Sequence, residues 1–423
     1  MLLVVVAIPA AARIAGAASE ERPLVRTVAI LGAEHTRESL VRGEIRVREG
    51  QALGPGDLRE TRRRLEETGL FSRVDIRVLP VGTDLVDVEV ELAERHGLGG
   101  LAEVGGRLAA DLVKSRITTR YANVAGRGVT AGIFYRWQRT QPQLGFELDS
   151  VRPFGLGVNV RAGAITGRPT YDLDDDGQDP FLLRSRGADF RLRRVVGSRT
   201  TAEAGVHFRT RTFTIDRPDT PPGRVSALHA GLEHRIVDRA RHRLDLALSG
   251  MRASSAWGSD LSFTRSLARA AYRGALAPPE IDVALQPSEV AAQVHWGRGG
   301  ASTPLDEMFS PGAASNMELP LRAHRNKRDG VLGRAPIGRT LALWNAEWRQ
   351  RVARKGRFQV GTALFYDGAR VGDTAQGPPS ITLHDVGFGI RIGMGRSLVL
   401  RGDFAYSPSD GKNALTAGLG HAF

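Results

Sequence analysis

The stretch "DVGFGIRIGM", residues 385–394, alternates without a break: Val386, Phe388, Ile390 and Ile392 fall on one side of an extended chain, and Gly387, Gly389 and Arg391 on the other. Period two is the side-chain repeat of a β-strand. Large apolar residues backed by glycine and charge describe a wall that is greasy outside and wet within. "QLGFELDS" (143–150) divides in the same way, with Leu144, Phe146 and Leu148 opposite Gly145, Glu147 and Asp149. From Gly97 onward such segments, roughly ten residues each, follow one another with turns between them, and about sixteen can be counted. The expected fold is therefore mainly β: a 16-stranded antiparallel transmembrane β-barrel over residues 97–423, preceded by one small α+β domain over 24–95.

The connections support a barrel over a soluble sandwich. "RPFG" (152–155), "GSRT" (197–200) and "ARKGR" (353–357) are tight, whereas 167–185, 216–223, 301–338 and 372–380 are long. Short turns at one end and long loops at the other are the asymmetry of an outer-membrane barrel. The ending "LTAGLGHAF" (415–423) alternates as well, with Leu415, Ala417, Leu419, His421 and Phe423 on one side. A last strand paired with the first would be hydrogen-bonded rather than frayed, and Phe423 would sit in an aromatic girdle. Gly418 and Gly420 would loosen that seam, or mark crowding in the lumen.

Composition narrows the function. The chain has 50 glycines, 25% charged residues and 41% hydrophobic residues, which suits many short strands and turns. It has no cysteine, so disulfides, zinc ribbons and thiol chemistry are excluded. A net charge of +13 raises nucleic acid or an anionic surface as a partner. The arginines, however, recur at alternate positions, as in "DFRLRR" (189–194), and read as the wet side of a sheet. No nucleic-acid motif accompanies them.

Residues 1–17, with an apolar run from Leu2 to Ala12 and an A-x-A site at Ala15 and Ala17, read as a signal peptide; a short buried segment is the alternative.

Residues 24–95 read as one α+β unit. "VRTVAIL" is a strand, 36–45 a short helix and 54–71 a longer one, capped by Asp57 with Glu60 and ended by Gly69. Two alternating strands follow, carrying Val74, Ile76 and Val78, then Val86, Val88, Val90 and Leu92. This order, with Gly69, Leu70, Phe71 and Val74 in "LEETGLFSRVDIRV", resembles a POTRA domain, the periplasmic module of outer-membrane assembly and secretion barrels. The resemblance implies that an exposed edge strand accepts extended client segments by β-augmentation; Leu70, Phe71 and Val74 themselves read as core, so client contact would fall on the edge strand instead.

The remainder resembles the barrel of the bacterial surface antigen superfamily. "NVAGRG" (123–128) matches its N-x-x-G-x-G turn, "FYDGARV" (365–371) its F-x-D-x-G stretch, and "LRGDFAYSP" (400–408) its ending. A long outer loop in that superfamily folds into the lumen and carries an apolar-R-G-aromatic tetrad. "LRAH" (321–324) takes its place, with Ala323 for the glycine and His324 for the aromatic. The resemblance implies that Arg322 binds carboxylates on two successive lumenal strands, and period two makes Glu347 and Asp367 the candidates. A solvated basic loop is the alternative.

Two further patterns bear on metal binding. Asp172, Asp174 and Asp176 with Gly177 resemble the opening of a calcium loop, but position twelve is Leu183 and an acidic solvated loop is the stronger reading. His229 and His234 lie five apart, on opposite faces of a strand, which is poor for a shared metal. No catalytic constellation and no cofactor motif is present.

Taken together, the two resemblances imply a non-enzymatic outer-membrane protein with its N-terminal domain in the periplasm. It would help insert, assemble or translocate polypeptide clients, alongside outer-membrane lipid and periplasmic or inner-membrane assembly partners. The alternatives are a dedicated exporter of one secreted passenger and a passive pore or structural barrel.

Overall fold

The computed structural model describes residues 22–54, 56–94, 108, 111–112, 115–153, 157–174, 179–196, 199–239, 241–280, 283–312, 319–328, 330–395 and 398–421. The chain divides into two compact units, Met1–Arg95 and His96–Phe423. The expected signal peptide lies outside the described residues.

The first unit runs β1 (Leu24–Leu31), α1 (Glu38–Glu44), α2 (Asp57–Glu67), β2 (Phe71–Pro80) and β3 (Leu85–Glu94). Strand β3 is central, parallel to β1 and antiparallel to β2, so β1 and β2 are the edges. Alternation builds the core: Val86, Val88, Val90 and Leu92 from β3 pack with Val25 and Val28 from β1, Val41 from α1 and Leu65 from α2. Leu70, Phe71 and Val74 belong to the same core. Gly69, with φ +70°, closes α2 and donates its N–H to the Glu66 carbonyl.

Asp57 is not the N-cap that the sequence suggested. Gly56 holds that position, and the Asp57 carboxylate instead accepts the Gly54 N–H at 2.8 Å while Glu60 pairs with Arg63. At the other helix, the Glu94 carboxylate accepts the N–H groups of His35 at 3.0 Å and Thr36 at 2.6 Å, just ahead of α1. Partial burial opposes its charge, but the hydrogen bonds from Thr36 and His35 outweigh burial and hold Glu94 below the ordinary carboxylate value.

The second unit is a single antiparallel sheet rolled into a barrel. Its strands are β4 (Arg116–Val124), β5 (Val129–Arg136), β6 (Gln143–Ser150), β7 (Asn159–Gly167) and β8 (Phe181–Val196). Then come β9 (Thr200–Phe213), β10 (Gly223–Asp238), β11 (His242–Ala253), β12 (Phe263–Ala275) and β13 (Ser288–Gly299). The last five are β14 (Gly338–Lys355), β15 (Phe358–Thr374), β16 (Ser380–Met394), β17 (Leu398–Tyr406) and β18 (Asn413–Leu419). The described residues thus supply fifteen long strands where sixteen segments were counted. The first of those segments, beginning at Gly97, falls in 95–107, outside the described residues. Among the described residues no helix is long and apolar enough to cross a membrane.

Alternation sorts the wall as expected. Val386, Phe388, Ile390 and Ile392 point outward and are exposed, while Asp385 and Arg391 on the same strand are buried. Phe146, Leu148, Phe190, Leu228, Leu248 and Leu364 continue the outer apolar band, and Trp296 reaches 74% exposure. Side chains this large and this exposed, strand after strand, need a non-aqueous surrounding. Most connections follow the expected asymmetry, but "ARKGR" shrinks to a turn at Gly356–Arg357, with strand on both sides. At the same end, residues 276–287 form a longer connection than a tight turn. There Leu285 is buried and donates its N–H to Gln359 Oε1 at 2.7 Å.

A loop clamped inside the barrel: the candidate functional site

The connection between β13 and β14, residues 300–337, turns into the lumen. Its Arg322 is buried and meets two strands at once. Nε and Nη2 bind Asp367 Oδ2 and Oδ1 at 2.7 and 2.8 Å, and Nη1 binds Glu347 Oε2 at 2.7 Å. The Arg322 guanidinium carbon lies 3.4 Å from the centroid of the Phe365 ring. Two parallel N–H donors on one carboxylate, a third on another and an aromatic face below use the planar fork fully.

Strand register explains why these groups meet. Asn345, Asp367 and Asp385 are cross-strand partners on β14, β15 and β16, so one face of three strands carries them side by side. Asn345 donates to Asp367 Oδ1 at 2.8 Å and to the Pro320 carbonyl at 2.9 Å, tying the loop backbone to the same carboxylate. Glu347 is shared with Arg349 and Arg391, both at 2.9 Å, and Arg391 binds Asp403 of β17 at 2.6 Å. Gly389 makes this possible, because a Cβ there would sit 2.1 Å from Asp403 Oδ1. Buried charges of both signs thus neutralise one another, as burial requires.

The two departures in "LRAH" both find partners. Ala323 packs with Phe365 and Ala405, and its N–H donates to Asp385 Oδ2 at 2.6 Å. His324 lies between Asp385, 2.6 Å from Nδ1, and Asp410, 3.0 Å from Nε2. Asp410 belongs to the turn between β17 and β18, so the loop tip is joined to the last hairpin. An imidazole facing a carboxylate at each nitrogen suits the doubly protonated ring.

Sequence reasoning found Arg322, Glu347 and Asp367 but missed Asp385, Asp403, Arg391 and His324 as members. Period two already put Asp385 on the side of Gly387 and Arg391; the missing signal was which strands stand next to each other.

It also missed a second attachment of the same loop. Asp306 and Glu307 meet Arg209 and Arg211 of β9: Asp306 Oδ1 to Arg211 Nη1 is 2.7 Å, and Glu307 Oε1 to Arg209 Nη1 is 3.2 Å. The Arg211 side chain is fully buried. Around it Tyr171, Phe181, Phe213, Leu305 and Met308 form an apolar cluster. Val331–Leu332 pair in parallel with Thr170–Tyr171, and Gln376 donates to the carbonyls of Gly333 and Ala335, so neighbouring outer loops brace this one.

The other candidates lie elsewhere. Asp172 is buried, its N–H donating to the Leu332 carbonyl, and Asp174 is exposed. Asp176 lies outside the described residues, and among those described no acidic or histidine cluster could hold a metal. His229 faces the lumen near Glu203, whereas His234 bonds to Thr200 on the other face. Gly418 is in β18 opposite Arg401, whose Nη2 would lie 3.0 Å from an added Cβ, so it relieves lumenal crowding. Gly420 is not in the strand: β18 ends at Leu419, and Gly420, with φ +77°, leads the chain out of it. Phe423 lies outside the described residues.

Residues 23–95 match the family described as "POTRA: Surface antigen variable number repeat". The N-terminal unit is a POTRA domain. Solved structures match the POTRA domain and barrel together. BamA from Haemophilus ducreyi lacking POTRA domains 1–3 is 14% identical, with a TM-score of 0.57 over 94% of this chain and 84% of that one. CdiB from Escherichia coli is 11% identical, TM-score 0.66, over 94% and 75%. CdiB from Acinetobacter baumannii is 13% identical, TM-score 0.62, over 94% and 73%. At such identities the likeness is one of fold: a POTRA domain followed by a barrel of the BamA and CdiB type.

Proposed function

We propose that this protein works in the bacterial outer membrane, with its POTRA domain in the periplasm, and assists the insertion or translocation of other polypeptides. The observation that carries this reading is the joining, in one chain, of a POTRA domain to a barrel whose lumen is crossed by a loop held on charged clamps. A loop held on such clamps suits a passage that opens for a client.

The POTRA strand β2 lies at the edge of its sheet beside α2, with β3 as its one strand neighbour among the described residues, so an extended segment can add along it as a further strand. Arg322 holds the loop against Glu347 and Asp367, and His324 extends that hold to the hairpin whose second strand, β18, ends the barrel. Release of the loop would therefore loosen the region where first and last strands meet. Partners are extended polypeptides and outer-membrane lipid; periplasmic or inner-membrane assembly proteins would bring the client.

Depletion of the protein in its host, followed by quantitation of the outer-membrane and secreted proteomes, tests the role. Loss of several barrels from the outer membrane marks an insertase, and loss of one secreted protein marks a dedicated exporter. Unchanged proteomes overturn the proposal and return the barrel to a structural role.

A further inference from the structure

Arginines placed by alternation should face the lumen, and many do. A subset does not. Arg184 and Arg186 on β8 lie on the outer face with Phe190 and Leu192, Arg224 on β10 with Leu228, Arg252 on β11 with Leu248, Arg298 on β13 with Trp296, and Arg370 on β15 with Leu364. All six are exposed. Each lies within six residues of the strand end that meets the long loops.

Register sets a threonine beside each of them, Thr212 in the case of Arg184, and joins Arg186 to Arg224 through one. Arg186 pairs with Thr210, which pairs with Arg224; Arg252 pairs with Thr264; Arg298 pairs with Thr340; and Arg370 pairs with Thr382. Basic groups and hydroxyls therefore stand side by side on the outward face, near the loop ends of these strands. Neighbouring strands are about 4.8 Å apart, and alternate residues about 6.8 Å. Of the six, only Arg224 has an ion-pair partner among the described residues, Asp260 at 3.8 Å. At their opposite ends the same five strands turn out one arginine, Arg194. The belt is one-sided.

On the reading that this barrel spans the outer membrane, we infer that the belt binds the phosphate groups of the phosphorylated glycolipid in the outer leaflet. The position fits, because arginine on the lipid face costs about 2–4 kcal/mol at the midplane and about 0–1 kcal/mol near the interface. The apolar band begins directly beneath, so one lipid molecule can lay its chains on Trp296 or Phe190 and its headgroup on the belt. Guanidinium grips phosphate bidentately, and the long side chain reaches to the headgroup level.

The test inserts the full chain into phosphatidylcholine vesicles containing purified lipid A, dephosphorylated lipid A, or no addition with inorganic phosphate in the buffer. The wild type is compared with a variant carrying Arg184→Gln, Arg186→Gln, Arg252→Gln, Arg298→Gln and Arg370→Gln. The midpoint of heat unfolding is read from the mobility shift on unboiled gels. Lipid A should raise the wild-type midpoint by about 5 °C, and dephosphorylated lipid A and free phosphate should leave it in place. The variant should gain less than half of that rise. An equal rise in the variant, or an equal rise with dephosphorylated lipid A, overturns the belt. Failure of the wild type to enter any vesicle overturns the membrane reading itself, and the belt falls with it.

Discussion

The long loop is held at two places, and the two are built with opposite polarity. Near the loop tip a cation from the loop, Arg322, meets acids on the wall, Asp367 and Glu347. Near its start, acids from the loop, Asp306 and Glu307, meet cations on the wall, Arg209 and Arg211. The tip clamp concentrates one guanidinium on three bonds to two carboxylates and an aromatic face. The outer clamp spreads the work over two arginines and two carboxylates, so either arginine can be lost with the other still in place. Redundancy, more than the number of charges, should separate them.

Arg322→Ala should therefore do the most harm. It strips Asp367 of a bidentate partner in a buried site, while Glu347 keeps Arg349 and Arg391. A loss of about 3–5 kcal/mol is expected, read as a lower denaturant midpoint of the detergent-folded barrel. Arg322→Lys should recover only part of it, since an ammonium cannot span both carboxylates. A double-mutant cycle with Glu347→Ala sharpens the point: additive losses would remove the pair from the lock.

Arg211→Ala should cost less, about 2 kcal/mol, because Arg209 stays beside Asp306 and Glu307. If the same denaturant titration gave it a larger loss than Arg322→Ala, the contrast between the clamps would be broken. His324→Phe comes next, at about 1 kcal/mol, since Asp385 still accepts the backbone N–H of Ala323. Its effect should shrink when Asp410 has already been replaced by Asn, because only the contact with Asp385 then remains to be lost.

The smallest effect lies in the POTRA domain, where a carboxylate works at the edge of solvent. Glu94 is held below its ordinary value, so its contribution is complete above the unfolded value of about 4.3 and is lost as pH falls through the folded one. Glu94→Gln should flatten the acid limb of the isolated-domain melting curve and leave the neutral limb shifted down by a constant amount. An acid limb unchanged by the substitution would detach Glu94 from the start of α1.

How far the sequence reached differs between these places. The alternation of "DVGFGIRIGM" fixed both the strand and its wet face, because side-chain direction in a regular strand, free of bulges, follows parity. The same rule put Glu347 and Asp367 inward, and the tetrad resemblance then pointed Arg322 at them. Parity alone was blind to height: reading the arginines as the wet side of a sheet missed that Arg184, Arg186 and Arg298 top an apolar wall, and it counted Gly420 into a strand that stops at Leu419.

By itself, then, the sequence determined the local order: the POTRA succession, the strand periods, the side of each charge and the lengths of most loops. These follow from dihedral preference and from the burial of alternate residues, which act over a few positions. Only the tertiary structure decided which inward charges share a site. Asp306 and Arg211 are 95 residues apart along the chain, and Asp410 is 86 from His324. Their meeting depends on strand register around the barrel and on a loop folded through its centre, and no local propensity encodes either one.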